Sequence, residues 1–154
     1  MNNKEKIHVL SRAVIIDQDN ILLCKTLDLK INFYFLPGGH IENGESARAS
    51  LLRELKEETG FDCQEKRFLG CLEYSFEPGR NSICHNHEYN FVFEAESKHL
   101  KSDKKIESPE NHIELIWVPV SSLSEIDLRA EPLKELIPKW LTLSAQESFE
   151  SRMI

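Results

Sequence analysis

No apolar run in this 154-residue chain approaches the roughly 18–20 consecutive residues that a membrane-spanning helix needs. The first residues, Met1 to Lys6, are polar and charged and lead into only a short apolar segment. That pattern lacks the h-region of a secretory signal, so a cytoplasmic location without membrane attachment is expected. Excess positive charge is lacking too: 19 Lys and Arg stand against 26 Asp and Glu, for a formal net charge of −7 and no basic stripe. Sequence-independent binding to nucleic acid is therefore disfavoured, and a phosphate-bearing ligand needs a local cation to approach. Four cysteines, Cys24, Cys63, Cys71 and Cys84, include no C-x-x-C pair. A chain this long is stable without disulfides, so they read as reduced and mostly buried thiols. No internal repeat is visible.

What is present is the balance of a globular domain, 40% hydrophobic and 29% charged. Such a length supports one core, because it buries roughly two thirds of the unfolded surface. His8 to Ile16 and Ile21 to Cys24 are apolar and flank a turn-forming cluster, Asp17-Gln18-Asp19-Asn20, which predicts a hairpin. Phe33-Tyr34-Phe35-Leu36 predicts a short strand that stops at Pro37-Gly38-Gly39, where the backbone can approach a neighbour closely. Ser46 to Thr59 predicts a helix with Ser46 as N-cap and Gly60 at the C′ position. Strands are expected at Phe68–Phe76, Tyr89–Ala95 and Ile113–Val118, the first two separated by a Pro78-Gly79 turn. Glu96 to Asn111 is polar and lysine-rich and predicts a mobile loop. Leu133 to Leu143 predicts a second helix, interrupted or started near Pro138, and the residues from Ser144 a frayed tail. Strands mixed with these helices favour an α/β layered domain with a mixed sheet.

The chemistry is concentrated on the first helix. At about 100° per residue, Glu57 lies about 60° to one side of Glu54 and Glu58 about 40° to the other. The three acids share a face beside the apolar stripe of Leu51, Leu52, Leu55 and Thr59. Like charges at these spacings oppose helix formation by roughly 0.2–0.5 kcal/mol per pair, and Arg53 at i−4 is the evident partner of Glu57. An ordinary solvated face is the bland reading. Against it stands the glycine turn just before the helix, which brings main-chain groups to the same place. Hard carboxylate oxygens also suit Mg²⁺, which is usually held by a few acids together with substrate phosphates.

In order, Gly39, Glu45, Arg53, Glu54, Leu55, Glu57, Glu58, Gly60 and Phe61 resemble the signature of the Nudix (MutT-like) hydrolases, with every fixed position matched. Chance gives such a match on the order of 10⁻⁷ per chain of this length. Leu36-Pro37-Gly38-Gly39 and Leu115–Pro119 are similar to that family as well, so the resemblance spans about residues 7–142 of a single domain covering 1–154, with 144–154 as a C-terminal tail. It implies an α/β/α sandwich around a mixed β-sheet. It further implies a hydrolase that cleaves a diphosphate linkage in a nucleoside diphosphate derivative: a nucleotide sugar such as ADP-ribose, a nucleoside triphosphate or a dinucleoside polyphosphate. Pro78 lies about where ADP-ribose hydrolases of the family carry a proline, although Pro78-Gly79 is equally a turn former.

By the same resemblance Glu54, Glu57 and Glu58, with the carbonyl of Gly38, are metal ligands for Mg²⁺, Mn²⁺ being the substitute. Glu45 assists the metal or braces the loop at the helix start, Arg53 orients Glu57, and Lys25 with Gly38 and Gly39 contacts substrate phosphate. Glu110, His112 and Glu114 stand open as general base, and Phe33, Tyr34, Tyr74 and Phe76 as stacking rings, about half of which strand alternation turns into the core. Cys84-His85-Asn86-His87 is an incomplete zinc set that would have to recruit Glu88 or Cys71. Ordinary loop or strand histidines account for it better. The expected partner is a small nucleotide, with a homodimer left open. Two other functions compete. A nucleotide-sensing module without turnover tends to lose signature acids, and none is lost here. Removal of a 5′ diphosphate from RNA needs a basic channel, which the net charge opposes and Lys98, Lys101, Lys104 and Lys105 favour.

Overall fold

Gln18 and Asp19 both sit at positive φ, 48° and 63°, the backbone twist that lets a two-residue turn join antiparallel strands. They connect β2 (Ile16–Asp17) to β3 (Asn20–Thr26). The expected hairpin is thus real but shorter than the apolar runs suggested. His8–Val14 forms β1, which leaves at Ile15 for a different sheet. The computed structural model describes residues 6–27, 30, 32–77, 86–142 and 148–154. The Pro78-Gly79 turn and the Cys84-His85 half of the zinc motif lie outside the described residues.

Among the described residues, seven further strands and two α-helices follow: β4 (Tyr34–Phe35), β5 (Gly38–His40), α1 (Ala47–Thr59), β6 (Gln64–Ser75), β7 (His87–Glu96), β8 (Ile113–Pro119), β9 (Leu128–Arg129), α2 (Leu133–Thr142) and β10 (Phe149–Arg152). The first sheet runs β10-β6-β7-β1-β5, with β1 parallel to β7 and antiparallel to β5. The second runs β2-β3-β4-β9, and β8 lies antiparallel along the whole of β3. Both sheets are therefore covered on two faces by the helices, as an α/β/α arrangement. Alternation along β3 shows how one strand serves both layers: Ile21 and Leu23 enter the core under α2, while Leu22 and Cys24 enter the core under α1. A strand buried on both faces reads as a continuous apolar run instead of an alternating one.

Helix α1 begins and ends where its caps dictate. The Ser46 hydroxyl accepts from the Ala49 N–H at 3.0 Å, and Gly60, at φ 81°, donates its N–H to the Lys56 carbonyl. Leu51 and Leu55 are fully buried, but Leu52, assigned to the apolar stripe, is 37% exposed. The stripe ends one step earlier than the wheel suggested because Ser50 takes a place in the interior, bonded to the Ser11 hydroxyl at 3.1 Å.

The strand Tyr34–Phe35 stops before Pro37 as expected, but Gly38–His40 then pairs with β1 as a short edge strand. Three expectations are corrected. Helix α2 starts at Leu133 and carries Pro138 in its interior; the burial of Leu136, Ile137 and Trp140 holds it against the sheets despite the lost N–H. Within the expected tail, Phe149–Arg152 is not frayed but adds a parallel edge strand to β6, while residues 144–147 lie outside the described residues. The lysine-rich loop carries no helix or strand, yet it is pinned: Leu100 and Ile106 are buried in the α1 core, Ser102 donates twice to the Asp17 carboxylate at 2.7 and 2.8 Å, and His99 stacks on Phe61. Composition showed the loop's polarity and hid its two anchors.

Candidate active site

Helix α1 presents its acids at graded depth, as their positions beside the apolar stripe require. Glu58 is 5% exposed, the Glu54 side chain is 17% exposed and that of Glu57 48%. Burial drives the Glu58 carboxyl up to about 8, against the pull of the Gly38 N–H and of Arg12. Glu54 is raised in the same direction by burial, with Arg53 opposing. Two carboxyl groups are thus held in a place that disfavours their charge.

Arg53 organises the cluster, though not as expected. Its guanidinium forks onto Glu45, Nε to Oε2 at 2.7 Å and Nη2 to Oε1 at 2.9 Å, then reaches Glu54 at 3.0 Å. Glu57 receives only a long contact of 3.4 Å. The bidentate pairing, which fixes carboxylates in orientation, is made with Glu45 because the loop brings that residue to the inner edge of the fork while Glu57 turns towards solvent. Glu45 in turn accepts from the Glu42 N–H at 3.1 Å and is held down at about 2, chiefly by Arg53. It braces the loop against the helix.

The glycines are the other half of the site. Gly38 sits at φ 134°, where a side chain would strike the Ser11 carbonyl at 2.0 Å, and a Cβ on Gly39 would meet the Glu54 carboxyl at 2.6 Å. Close approach is therefore literal at both positions. The Gly38 N–H donates to Glu58 at 2.9 Å, and β1 places Arg12 directly across from Gly38 in the register. Arg12 donates to the Leu36 carbonyl at 3.0 Å and lies 5.8 Å from the centre of the Phe35 ring.

Beyond Arg12 the two sheets part and leave a cavity of about 960 Å³. Phe33, Phe35, Tyr74 and Phe76 are among its walls. Of the expected stacking rings, only Tyr34 does not line it and packs on the α2 core instead. Two buried polar residues, Glu88 and Asn90, sit in the β7 row that continues with apolar Val92, and they are bonded to each other at 3.0 Å. Arg129, clamped by Asp127, covers Phe33 at 4.8 Å. Lys25 does not line the cavity: it lies over the Tyr34 ring and across from Glu114.

Of the residues open as general base, Glu110 is the one whose charge acts on Glu54 and Glu58. Its loop is tied to the helix by the Ser108 hydroxyl, which donates to the Glu58 carbonyl at 2.6 Å and accepts from the Glu110 N–H. His112 is turned outward and pairs with Glu110 at 3.3 Å.

A model of the NUDIX domain matches residues 7–140. The chain belongs to the Nudix hydrolase family. It is 34% identical over 79 residues to the 8-oxo-dGTP diphosphatase of Proteus vulgaris, covering 49% of this chain and 70% of that one. To the ADP-ribose pyrophosphatase of Methanocaldococcus jannaschii it is 38% identical over 90 residues, covering 57% of this chain and 52% of that one, so it spans about half the length of this second relative. The solution structure of the E. coli ORF135 protein superimposes with a TM-score of 0.70 at 18% identity, over 96% of this chain and 99% of that chain. That last likeness is one of fold.

In this Nudix chain the acids fit a divalent cation by their chemistry. Glu58 is a buried carboxylate whose charge is opposed by burial and by Glu54 and Glu110, and every donor in the set is a hard oxygen. The side-chain arrangement is a different matter. Among the described residues, no three His, Cys, Asp or Glu side chains are arranged to hold a metal ion. Each acid meets an N–H donor: Glu54 and Glu57 that of Arg53, and Glu58 that of Gly38. Arg12 and the Glu88–Asn90 pair escaped the sequence reading. The one signal for them was polarity inside strands otherwise rich in Val, Ile and Phe, which is weak until burial is known.

Proposed function

We propose that this protein is a Mg²⁺-dependent pyrophosphohydrolase that cleaves the diphosphate linkage of a small nucleoside diphosphate derivative, with Mn²⁺ able to replace Mg²⁺. The observation that carries this reading is the place of Arg12, which lines an aromatic cavity of a nucleoside's size, stands across from Gly38 and acts on the charge of Glu58. Glu54, Glu57, Glu58 and the Gly38 carbonyl are the oxygen donors for the metal. When bound there, the cation supplies countercharge to the diphosphate and makes water a better nucleophile at neutral pH. The backbone at Gly38 and Gly39 lets the phosphate chain lie close to the helix. Arg53 and Glu45 hold the acids in register, and Glu110 is placed to accept the proton of the attacking water. Water adds to one phosphorus, the anhydride P–O bond breaks, and two phosphate-bearing products leave, a nucleotide and either a second phosphate ester or inorganic pyrophosphate. Phe33, Phe35, Tyr74 and Phe76 stack the base, and Glu88 with Asn90 meets its polar edge. Relatives named for 8-oxo-dGTP and for ADP-ribose bracket the substrate class.

The purified protein, incubated with Mg²⁺ and a panel of dNTPs, 8-oxo-dGTP, ADP-ribose and dinucleoside polyphosphates in ¹⁸O-labelled water, is expected to release labelled phosphate products. Mass spectrometry identifies the substrate and the phosphorus attacked. Activity lost in EDTA and restored by Mg²⁺ or Mn²⁺ supports the metal assignment. Absence of product from every compound at high protein concentration favours the sensing module instead.

A further inference from the structure

We propose that Arg12 is the cation that receives the substrate's diphosphate between the aromatic cavity and the acidic helix. This rests on the hydrolase reading above and assigns a residue that the signature does not contain. Its place in the fold is the first reason. Arg12 stands on β1 in register with Gly38, whose N–H holds Glu58, and it also lines the cavity. From the cavity wall its charge also reaches Glu58.

Charge is the second reason. Among the described residues, Arg12, Arg129 and Lys134 are the cations on the cavity wall. Arg129 is already neutralised by Asp127, with both carboxylate oxygens engaged at 3.1 and 3.2 Å, and Lys134 stands on α2, away from the acids. Arg12 is half-buried, yet its hydrogen bond goes to a neutral carbonyl, and among the described residues it forms no ion pair with a carboxylate. Its charge acts on Glu58 without an ion-pair contact, so the guanidinium keeps donors for an incoming anion. Its fork matches phosphate oxygens in two-point contacts. The acids of α1 repel a diphosphate, so a fixed cation at the mouth of the cavity orients the chain with its phosphates towards the helix and its base towards Glu88 and Asn90. The Leu36 carbonyl and the Phe35 ring hold the guanidinium ready in that orientation.

The test compares Arg12→Gln and Arg12→Lys with the wild type by calorimetric binding of ADP and of adenosine in the presence of Ca²⁺, and by steady-state kinetics on the best substrate of the panel. For Arg12→Gln the expected result is roughly 30-fold weaker ADP binding, as for loss of a charge-assisted pair, with adenosine binding unchanged, a raised KM and partial recovery in Arg12→Lys. A purely structural role at the Leu36 carbonyl would weaken both ligands alike, and that outcome overturns the proposal, as does ADP binding that ignores the substitution. If the wild type hydrolyses nothing but binds ADP in an Arg12-dependent way, the assignment of Arg12 stands and the hydrolase reading falls.

Discussion

The two helix-covered faces of this protein are built by the same strands but for opposite tasks. Under α1 the core closes tightly against a helix whose outer edge gathers Glu54, Glu57 and Glu58 around Arg53. Under α2 the sheets part and leave an aromatic cavity with isolated polar groups on its floor. On the first face charges crowd together and are fixed by short hydrogen bonds. On the second, the rings of Phe33, Phe35, Tyr74 and Phe76 share the wall with charged side chains of both signs. The difference implies that substitutions near α1 damage turnover, whereas substitutions in the cavity damage affinity.

Glu57→Gln is the strongest way to break the α1 face. Turnover is expected to fall by about three orders of magnitude or more, while the metal-free thermal midpoint stays unchanged or rises, because repulsion among the acids is relieved and only a long Arg53 contact is lost. Full activity in the variant would remove Glu57 from the ligand set.

Gly39→Ala comes next. Its Cβ would meet the Glu54 carboxyl at 2.6 Å, so either the side chain or the turn must shift. Activity is expected to fall roughly 100-fold, as positioning errors of about 1 Å do, with the circular dichroism spectrum retained. Wild-type turnover in this variant would show that Glu54 needs no fixed place beside the turn.

Tyr74→Ala sharpens the comparison from the cavity side. Loss of one stacking ring is worth about 1–3 kcal/mol, so KM is expected to rise about tenfold with kcat within a factor of about two. A fall in kcat at constant KM would erase the proposed division of labour.

The smallest effect concerns Glu45. Arg53 holds its carboxyl at about 2, below the ordinary 4.5, so the folded state binds fewer protons than the unfolded chain as pH drops. The stability from this pair is complete above about 4.5 and is lost as pH falls from there towards 2. Urea midpoints measured between about pH 6 and pH 3 should decline for the wild type and decline less for Glu45→Gln; parallel curves would dissociate Glu45 from the Arg53 fork.

Much of the α1 face was legible in the chain itself, because helix periodicity and capping are local rules. Ser46, Gly60 and the spacing of Glu54, Glu57 and Glu58 sit within one continuous segment, and the signature residues from Gly39 to Phe61 lie next to one another. The cavity was not legible, since it is assembled from β1, β7, the 33–35 segment and the 126–134 segment, and no local rule joins them. Arg12, Glu88 and Asn90 look like ordinary strand residues until the strands pair. Lys25 was a natural candidate cation by position, yet the pairing of β3 with β4 brings the Tyr34 ring beneath it.

By itself, then, the amino-acid order determined the family, the helix and its acids, because each rests on residues within a few turns of one another. Only the tertiary structure decided that Arg53 clamps Glu45 before Glu57, that the lysine-rich loop is anchored, and that Phe149–Arg152 joins a sheet. Each of those outcomes depends on which groups meet across long separations, and burial and strand register set that.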